Sequence, residues 1–463
     1  MKRRIEAELL KWKGQVGRKP LVLMGARQVG KTWLMEDFAR KNFARAHIID
    51  FRENPDYGSV FMGSKAPADL LPKLSAVMGR KINVESDVLI FDEIQDCNEA
   101  LNSLKYFKEK CPRLAVMAAG SLLGVRIGRK NKSRNQGNCA AERQRKTFPV
   151  GKVELLDVEP FDFAEYLEAK NPALYEYYLA IEGDDPIDEV FHNRLTDALN
   201  EYLFVGGMPE CVASYLETGD PQKVEKIQRD ILRLYEDDIV KYNGEIDAGK
   251  ILLVLRSIVP QLAKPNEKFL YDVIREGARA RGYEDAIEWL VSARIVRRVN
   301  NLSAIKYPLA AYDVRTAFKL YFLDVGLLRS MAGISFRAIT LNENFSFKGP
   351  FTENFVAQQL FGRTVGPARY WAERSDREID FVIQREDEVV PIEVKGGEDK
   401  KAASFKSFVR NDKPLNAIRF SKRNLRRDGG FVNIPLYLVP RYERCLRACE
   451  VREVNKQKAR CRK

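Results

Sequence analysis

The sequence predicts an α/β chain in which a parallel sheet is followed by a helical segment, a smaller connector and a second α/β domain. Three stretches carry that expectation. An apolar run at 20–24 leads through a glycine-bounded loop into an amphipathic helix. A second, wholly apolar run at 88–91 ends in two acids, as a strand buried on both faces does. Near the C-terminus, "REIDFVIQREDEVVPIEVK" at 377–395 reads as two charged strands joined by a tight turn. At 463 residues the chain is long enough for about three domains.

In "PLVLMGARQVGKTWLMEDFARKNF" the strand gives way to a loop with the spacing G-x-x-x-x-G-K-[ST] at Gly25, Gly30, Lys31 and Thr32. Leu34, Met35, Phe38 and Phe43 then recur at helical spacing. Such a loop, here Gly25, Ala26, Arg27, Gln28, Val29 and Gly30, turns its backbone N–H groups toward phosphate oxygens. Lys31 adds charge at the β- and γ-phosphates, and Thr32 offers its hydroxyl to Mg²⁺. The expected cofactors are therefore ATP and Mg²⁺.

"SDVLIFDEIQD" supplies the matching acids. Asp92 is expected to hold Mg²⁺ through its water shell and Glu93 to orient or deprotonate the attacking water. Surface acids closing a buried strand are the plain reading of the same residues, and the phosphate loop tips the balance against it. A third apolar run, "RLAVMAAGS", places Ser121 where a polar side chain senses the γ-phosphate; a Gly-Ser turn opening a helix is an equally open reading. No arginine is assigned to the site, though Arg27 and Arg113 are at hand.

With "GARQVGKTWL", "LIFDEIQ", "AGSLLGV", "FPVGKVELLDVEPFDFAEYL" and "YLFVGGMPECV", the chain resembles the bacterial and archaeal AAA-like P-loop ATPases that carry a C-terminal restriction-endonuclease-like domain. The resemblance runs over residues 5–440. It implies ATP binding and hydrolysis in the cytoplasm, and no particular biological role. Two segments depart from the family pattern, a polar insert at 126–146 and a long tail at 441–463. They hold 8 and 9 Lys/Arg against 1 and 3 acids, which accounts for the whole formal charge of +13. The body is thus neutral, and the charge belongs to two solvated appendages.

The expected organisation is an ATPase core at 1–155, a helical lid at 156–245, a winged-helix-like connector at 246–330, a nuclease-like α/β domain at 331–440, and the basic tail. "GGMPE" in the lid reads as a tight turn in which Pro209 stops a helix. His192 is one of 2 histidines, which sets histidine-based metal or triad chemistry aside. In the connector three helices precede a hairpin, the order of a winged helix. Its third helix, "YEDAIEWLVSA", is acidic and apolar, which favours packing against protein over reading DNA.

In the C-terminal third, "GPFTENFVAQQLFGR" is a helix bearing Glu353. A turn centred on Glu386 and Asp387 sets Asp380 opposite Glu393, with Lys395 on the same face. Two carboxylates and a helix glutamate, Glu353, Asp380 and Glu393, can hold a divalent cation while Lys395 stabilises a nucleophilic water or a phosphate charge. The order is similar to that of the PD-(D/E)xK nucleases. DNA as a substrate, a silent fold that grips DNA, and a protein partner all stay open, as does oligomerisation. No run is long enough to span a bilayer, and a signal peptide is not expected. Seven scattered cysteines suit reduced thiols.

Overall fold

The computed structural model describes residues 1–121, 123–128, 149, 151–243, 246–264, 268–340, 346–361, 366–374, 377–396 and 403–446. Residues 129–146 of the basic insert and 447–463 of the tail lie outside them. The chain divides into two compact units: Lys2–Glu159 with Ser292–Ile295, and the remainder from Pro160 on.

The first unit is built on five parallel strands, β1 (Leu21–Met24), β2 (Arg45–Asp50), β3 (Asp87–Asp92), β4 (Ala115–Gly120) and β5 (Glu154–Asp157), in the order β2-β3-β4-β1-β5. This is the P-loop ATPase sheet expected from the sequence. Every residue of β1, β3 and β4 is buried, which is why they read as apolar runs, in β3 between Asp87 and Asp92. Phe51, Phe61, Phe91 and Phe107 interlock on one side of the sheet, Phe61 and Phe91 edge to face at 5.5 Å. In β4, small side chains (Ala115, Ala118, Ala119, Gly120) let neighbouring layers approach closely.

Ser292–Ile295 belongs to this unit although the residues on either side do not. A Cβ on Gly124 would stand 2.2 Å from the Ser292 carbonyl oxygen, so the helix Leu123–Gly128 accepts the segment only with a glycine there. Arg294, held at φ +63°, pairs its Nη2 with Asp157 Oδ1 at 2.6 Å, at the end of β5.

The second unit joins a helical part to a mixed eight-stranded sheet. Its strands are β6 (Val296–Leu302), β7 (Asp313–Phe322), β8 (Arg369–Arg374), β9 (Arg377–Arg385), β10 (Glu388–Lys395), β11 (Ile418–Ser421), β12 (Arg426–Asp428) and β13 (Phe431–Pro435), ordered β12-β13-β11-β10-β9-β8-β6-β7. Three helices, Ala248–Leu262, Tyr271–Ile274 and Ala280–Ser292, do precede a β6–β7 hairpin. That hairpin is no free wing, because β6 pairs in parallel with β8 and extends the C-terminal sheet. The break expected at 330 is thus bridged by sheet hydrogen bonds. The third helix buries Tyr283, Ile287, Trp289 and Leu290.

Pro209 opens the helix Pro209–Thr218 instead of ending one, the first-turn position where its missing N–H costs nothing. The turn before it is tied down by Asp324, whose carboxylate accepts from Gly207 N at 2.6 Å, Leu327 N at 2.9 Å and Gln358 Nε2 at 3.1 Å. Gly206, at φ +75°, leaves no room for a Cβ, which would lie 2.3 Å from Asp324 Oδ1. No described helix is long and apolar enough to cross a membrane.

Burial pushes the Asp324 carboxyl up to about 6, against the N–H donors that favour its charge. The folded protein then holds this proton more tightly than the unfolded chain, whose group titrates near 3.8. The resulting contribution is complete below pH 4 and is lost as pH rises through 6, a change of about 3 kcal/mol. Asp324→Asn removes the titration. In denaturant unfolding, the stability of wild type relative to this variant should therefore fall between pH 4 and pH 7; a constant difference would refute the assignment.

Candidate nucleotide-binding site and a second charged cluster

The phosphate loop hangs between the end of β1 and the helix Lys31–Asn42. Its turn needs left-handed backbone at Gln28 (φ +66°) and Gly30 (φ +85°). Gly25 lets the loop pass under Val158, whose carbonyl oxygen would lie 2.4 Å from a Cβ there. The Lys31 side chain is buried and folds back on the loop, Nζ donating to Ala26 O at 2.7 Å and Gly25 O at 3.1 Å. Burial pushes its ammonium down to about 8, against the attraction of Glu93 and Asp92.

Thr32 Oγ1 donates to Asp92 Oδ2 at 2.5 Å, bringing together the two groups expected around Mg²⁺. They supply a hydroxyl and one carboxylate, which suits an ion that keeps most of its shell as water and phosphate oxygen. Asp92 is pushed up by burial, although the Thr32 hydroxyl and the Glu93 N–H both favour its charge. The residues therefore fit an Mg²⁺ nucleotide: Gly25–Gly30 and Lys31 would hold its phosphates, and Thr32 and Asp92 its metal.

Glu93 follows in a left-handed conformation (φ +46°), a backbone state that costs a non-glycine residue about 1 kcal/mol. The turn swings its carboxylate out of the strand and into a ring of donors. Arg52 Nη1 lies 3.3 Å from Oε1, Ser121 Oγ donates to Oε2 at 3.3 Å, and Gln95 Nε2 donates to the same oxygen. Ser121 thus reaches the site, and its partner in the structure is the Glu93 carboxylate. Arg113 lies before β4, at the opposite end of that strand, paired with Glu85 at 2.8 Å. Arg52 and Gln95 were not singled out in the sequence. Gln95 carried one signal, a polar residue two positions past the paired acids; Arg52, beyond β2, carried none.

In the other unit, the hairpin has the expected register. Ile392 pairs with Phe381 and Glu388 with Arg385, around a turn at Glu386 and Asp387. Its charged residues join a larger cluster. Lys319, 1% exposed, reaches Glu378 at 2.8 Å and Glu353 at 3.4 Å, and Tyr321 OH donates to Glu353 at 3.1 Å. Lys395 pairs with Glu393, and Asp380 Oδ2 accepts from Val394 N at 2.6 Å.

Four carboxyls and two ammonium groups share this space, and the imbalance tells on them. Burial, with Glu393 and Glu353 adding, holds the Asp380 carboxyl well above its usual range. Glu393 and Glu378 are also pushed up by burial, each against its lysine. Burial lowers Lys395, but Asp380 and Glu393 outweigh it and the net direction is up. The expected metal set of Glu353, Asp380 and Glu393 is not gathered as ligands. Each carboxylate faces a different protein donor, and among the described residues no group of three or more His, Cys, Asp or Glu is placed to hold a metal ion.

Residues 17–167 match the family model described as an AAA domain. Residues 196–338 and 348–439 match two models, each described as a domain of unknown function. No curated protein matches the chain. Similar solved structures include a Walker-type ATPase of Pyrococcus abyssi, 16% identical over 72% of this chain and 95% of that one, with a TM-score of 0.44. The ORC1 protein of Aeropyrum pernix, solved in complex with DNA, is 13% identical over 73% and 94%, with a TM-score of 0.26. AMPPCP-bound DnaA of Aquifex aeolicus is 13% identical over 62% and 87%, with a TM-score of 0.27.

A triphosphate beside Lys31 favours the charged ammonium, so nucleotide binding should draw a proton onto this side chain. With the free-state value near 8, about half a proton is taken up at pH 8, and affinity falls by up to about tenfold per pH unit above it. Calorimetric titrations at pH 8 in buffers of different ionisation enthalpy measure the uptake. A binding heat independent of buffer would contradict it.

Proposed function

Starting from an AAA-type P-loop ATPase domain at residues 17–167, we propose that the protein binds Mg²⁺-ATP and hydrolyses it. The observation that carries this reading is the convergence of Lys31, Thr32, Asp92 and Glu93 at the ends of two strands, with Thr32 and Asp92 in direct hydrogen bond at 2.5 Å. The loop N–H groups and Lys31 bind and orient the phosphates. Thr32 and Asp92 would hold the Mg²⁺, which would neutralise phosphate charge. Glu93 aligns the attacking water and takes its proton.

Lys31→Ala should abolish nucleotide binding and turnover together. Glu93→Gln should leave nucleotide affinity within a few-fold and lower phosphate release by roughly a hundredfold or more. Phosphate release and fluorescent-nucleotide titration separate the two outcomes. Full turnover in either variant would sink the assignment.

For the C-terminal domain, the favoured reading is a nuclease-like fold that binds its partner without cutting. Its support is the engagement of Asp380, Glu393 and Glu353 by Val394 N, Lys395 and the Lys319–Tyr321 pair. These donors balance part of the carboxylate charge within the protein itself. Supercoiled and linear DNA incubated with the protein and Mg²⁺ or Mn²⁺, with and without ATP, should stay intact. Metal-dependent nicking that disappears in both Asp380→Ala and Lys395→Ala would reverse this reading and make the domain a nuclease.

A further inference from the structure

Gln95 is the most buried polar side chain at the nucleotide site, 1% exposed, on the short 3₁₀ turn Ile94–Asp96 that follows Glu93. Its two amide atoms have different surroundings. Nε2 donates to Glu93 Oε2. Oε1 is buried without a hydrogen-bond partner. Turning the amide over would press its oxygen against the carboxylate, so repulsion fixes this orientation. A buried carbonyl oxygen left without a donor costs about 1–3 kcal/mol, and such a group calls for an explanation.

Gly120 supplies a second, independent mark of design around this amide. A Cβ at position 120 would stand 2.2 Å from Gln95 Oε1, inside any tolerable contact. The end of β4 thus makes room for the carboxamide, and the next residue, Ser121, turns its hydroxyl onto the same Glu93 oxygen. Gln95 and Ser121 approach Oε2 while Arg52 holds Oε1 at 3.3 Å.

We propose that Gln95 is a positioning residue for ATP hydrolysis: its amide, wedged against Gly120, holds Nε2 on the Glu93 carboxylate and so fixes the direction in which that carboxylate meets the attacking water. The proposal rests on the reading of Glu93 as the base. The water oxygen forms the new bond to the γ-phosphorus as the bond to the β,γ-bridging oxygen breaks. ADP takes the bridging oxygen's electron pair, and one water proton passes to Glu93. The other hydrogen stays on the attacking oxygen, and Gln95 itself neither gains nor loses a proton. A carboxylate that cannot turn, held by Gln95, Ser121 and Arg52, presents its oxygens to the water in one orientation.

A double-substitution cycle tests this in the full-length protein. Gln95→Met keeps the side chain's bulk and removes its hydrogen bond to Glu93. Gly120→Ala leaves Gln95 in place chemically and displaces its amide. Each should lower kcat by roughly ten- to a hundredfold with nucleotide affinity and melting temperature little changed. The double variant should be no slower than the slower single one, because both act through one amide. An unchanged kcat in Gln95→Met, or loss of affinity in proportion to kcat, would overturn the proposal. Multiplicative losses in the double variant would do the same. Should Gly120→Ala fail to fold, Gln95→Met and Gln95→Ala still decide the kcat-against-affinity question. If wild type turns ATP over but Glu93→Gln does so equally well, the underlying assignment of Glu93 fails. A normal Glu93→Gln defect with a silent Gln95→Met rejects only the role of Gln95.

Discussion

The hydrogen bond from Thr32 to Asp92 is the contact on which the nucleotide site turns. It joins the helix after β1 to the end of β3, although those strands are not neighbours: β4 lies between them. Its 2.5 Å length requires that three strands end at nearly the same height. Alanines and a glycine in the second half of β4 let the layers above and below the sheet approach these strand ends closely. The same insertion brings Gly120 and Ser121 up beside Glu93. Strand order, side-chain size and the acid's left-handed turn are therefore parts of one geometric solution.

The C-terminal cluster solves a different problem, one of charge. Four carboxyls crowd two lysines, and a buried pair is favourable only when its hydrogen bonds are complete. The structure divides the donors so that Glu353 and Glu378 share Lys319 while Glu393 takes Lys395 and Asp380 takes a backbone N–H. What remains is excess negative charge held partly by raised proton affinity. In this arrangement Lys395 is already committed to a neighbour.

Much of this was legible in the sequence because it follows from local pattern. The loop from Gly25 to Thr32 is contiguous, β3 and β4 announce themselves by their apolar runs, and the hairpin register follows from a two-residue turn and the alternation of strand faces. What escaped was recruited across long separations. Arg52 meets Glu93 only because β2 lies beside β3. Lys319 enters the cluster from β7, which reads as a wing until β6 is seen to pair with β8. Pro209 illustrates a local ambiguity: the same ring that ends one helix is tolerated in the first turn of the next, and only the chain's path decides between them. The partners of Glu353, Asp380 and Glu393 were not legible either, because register and motif order do not say which donor each carboxylate meets.

The return of Ser292–Ile295 to the first unit bears on how the protein is made. Synthesis runs from the N-terminus, so all five strands of the ATPase sheet are available once residue 159 has been added. The partner of Asp157 is not; Arg294 is still 135 residues from being made. During that interval Gly124 has an open flank and the end of β5 lacks its guanidinium. The ATPase unit is therefore finished late on the ribosome, by a four-residue clasp delivered from inside a different part of the gene product.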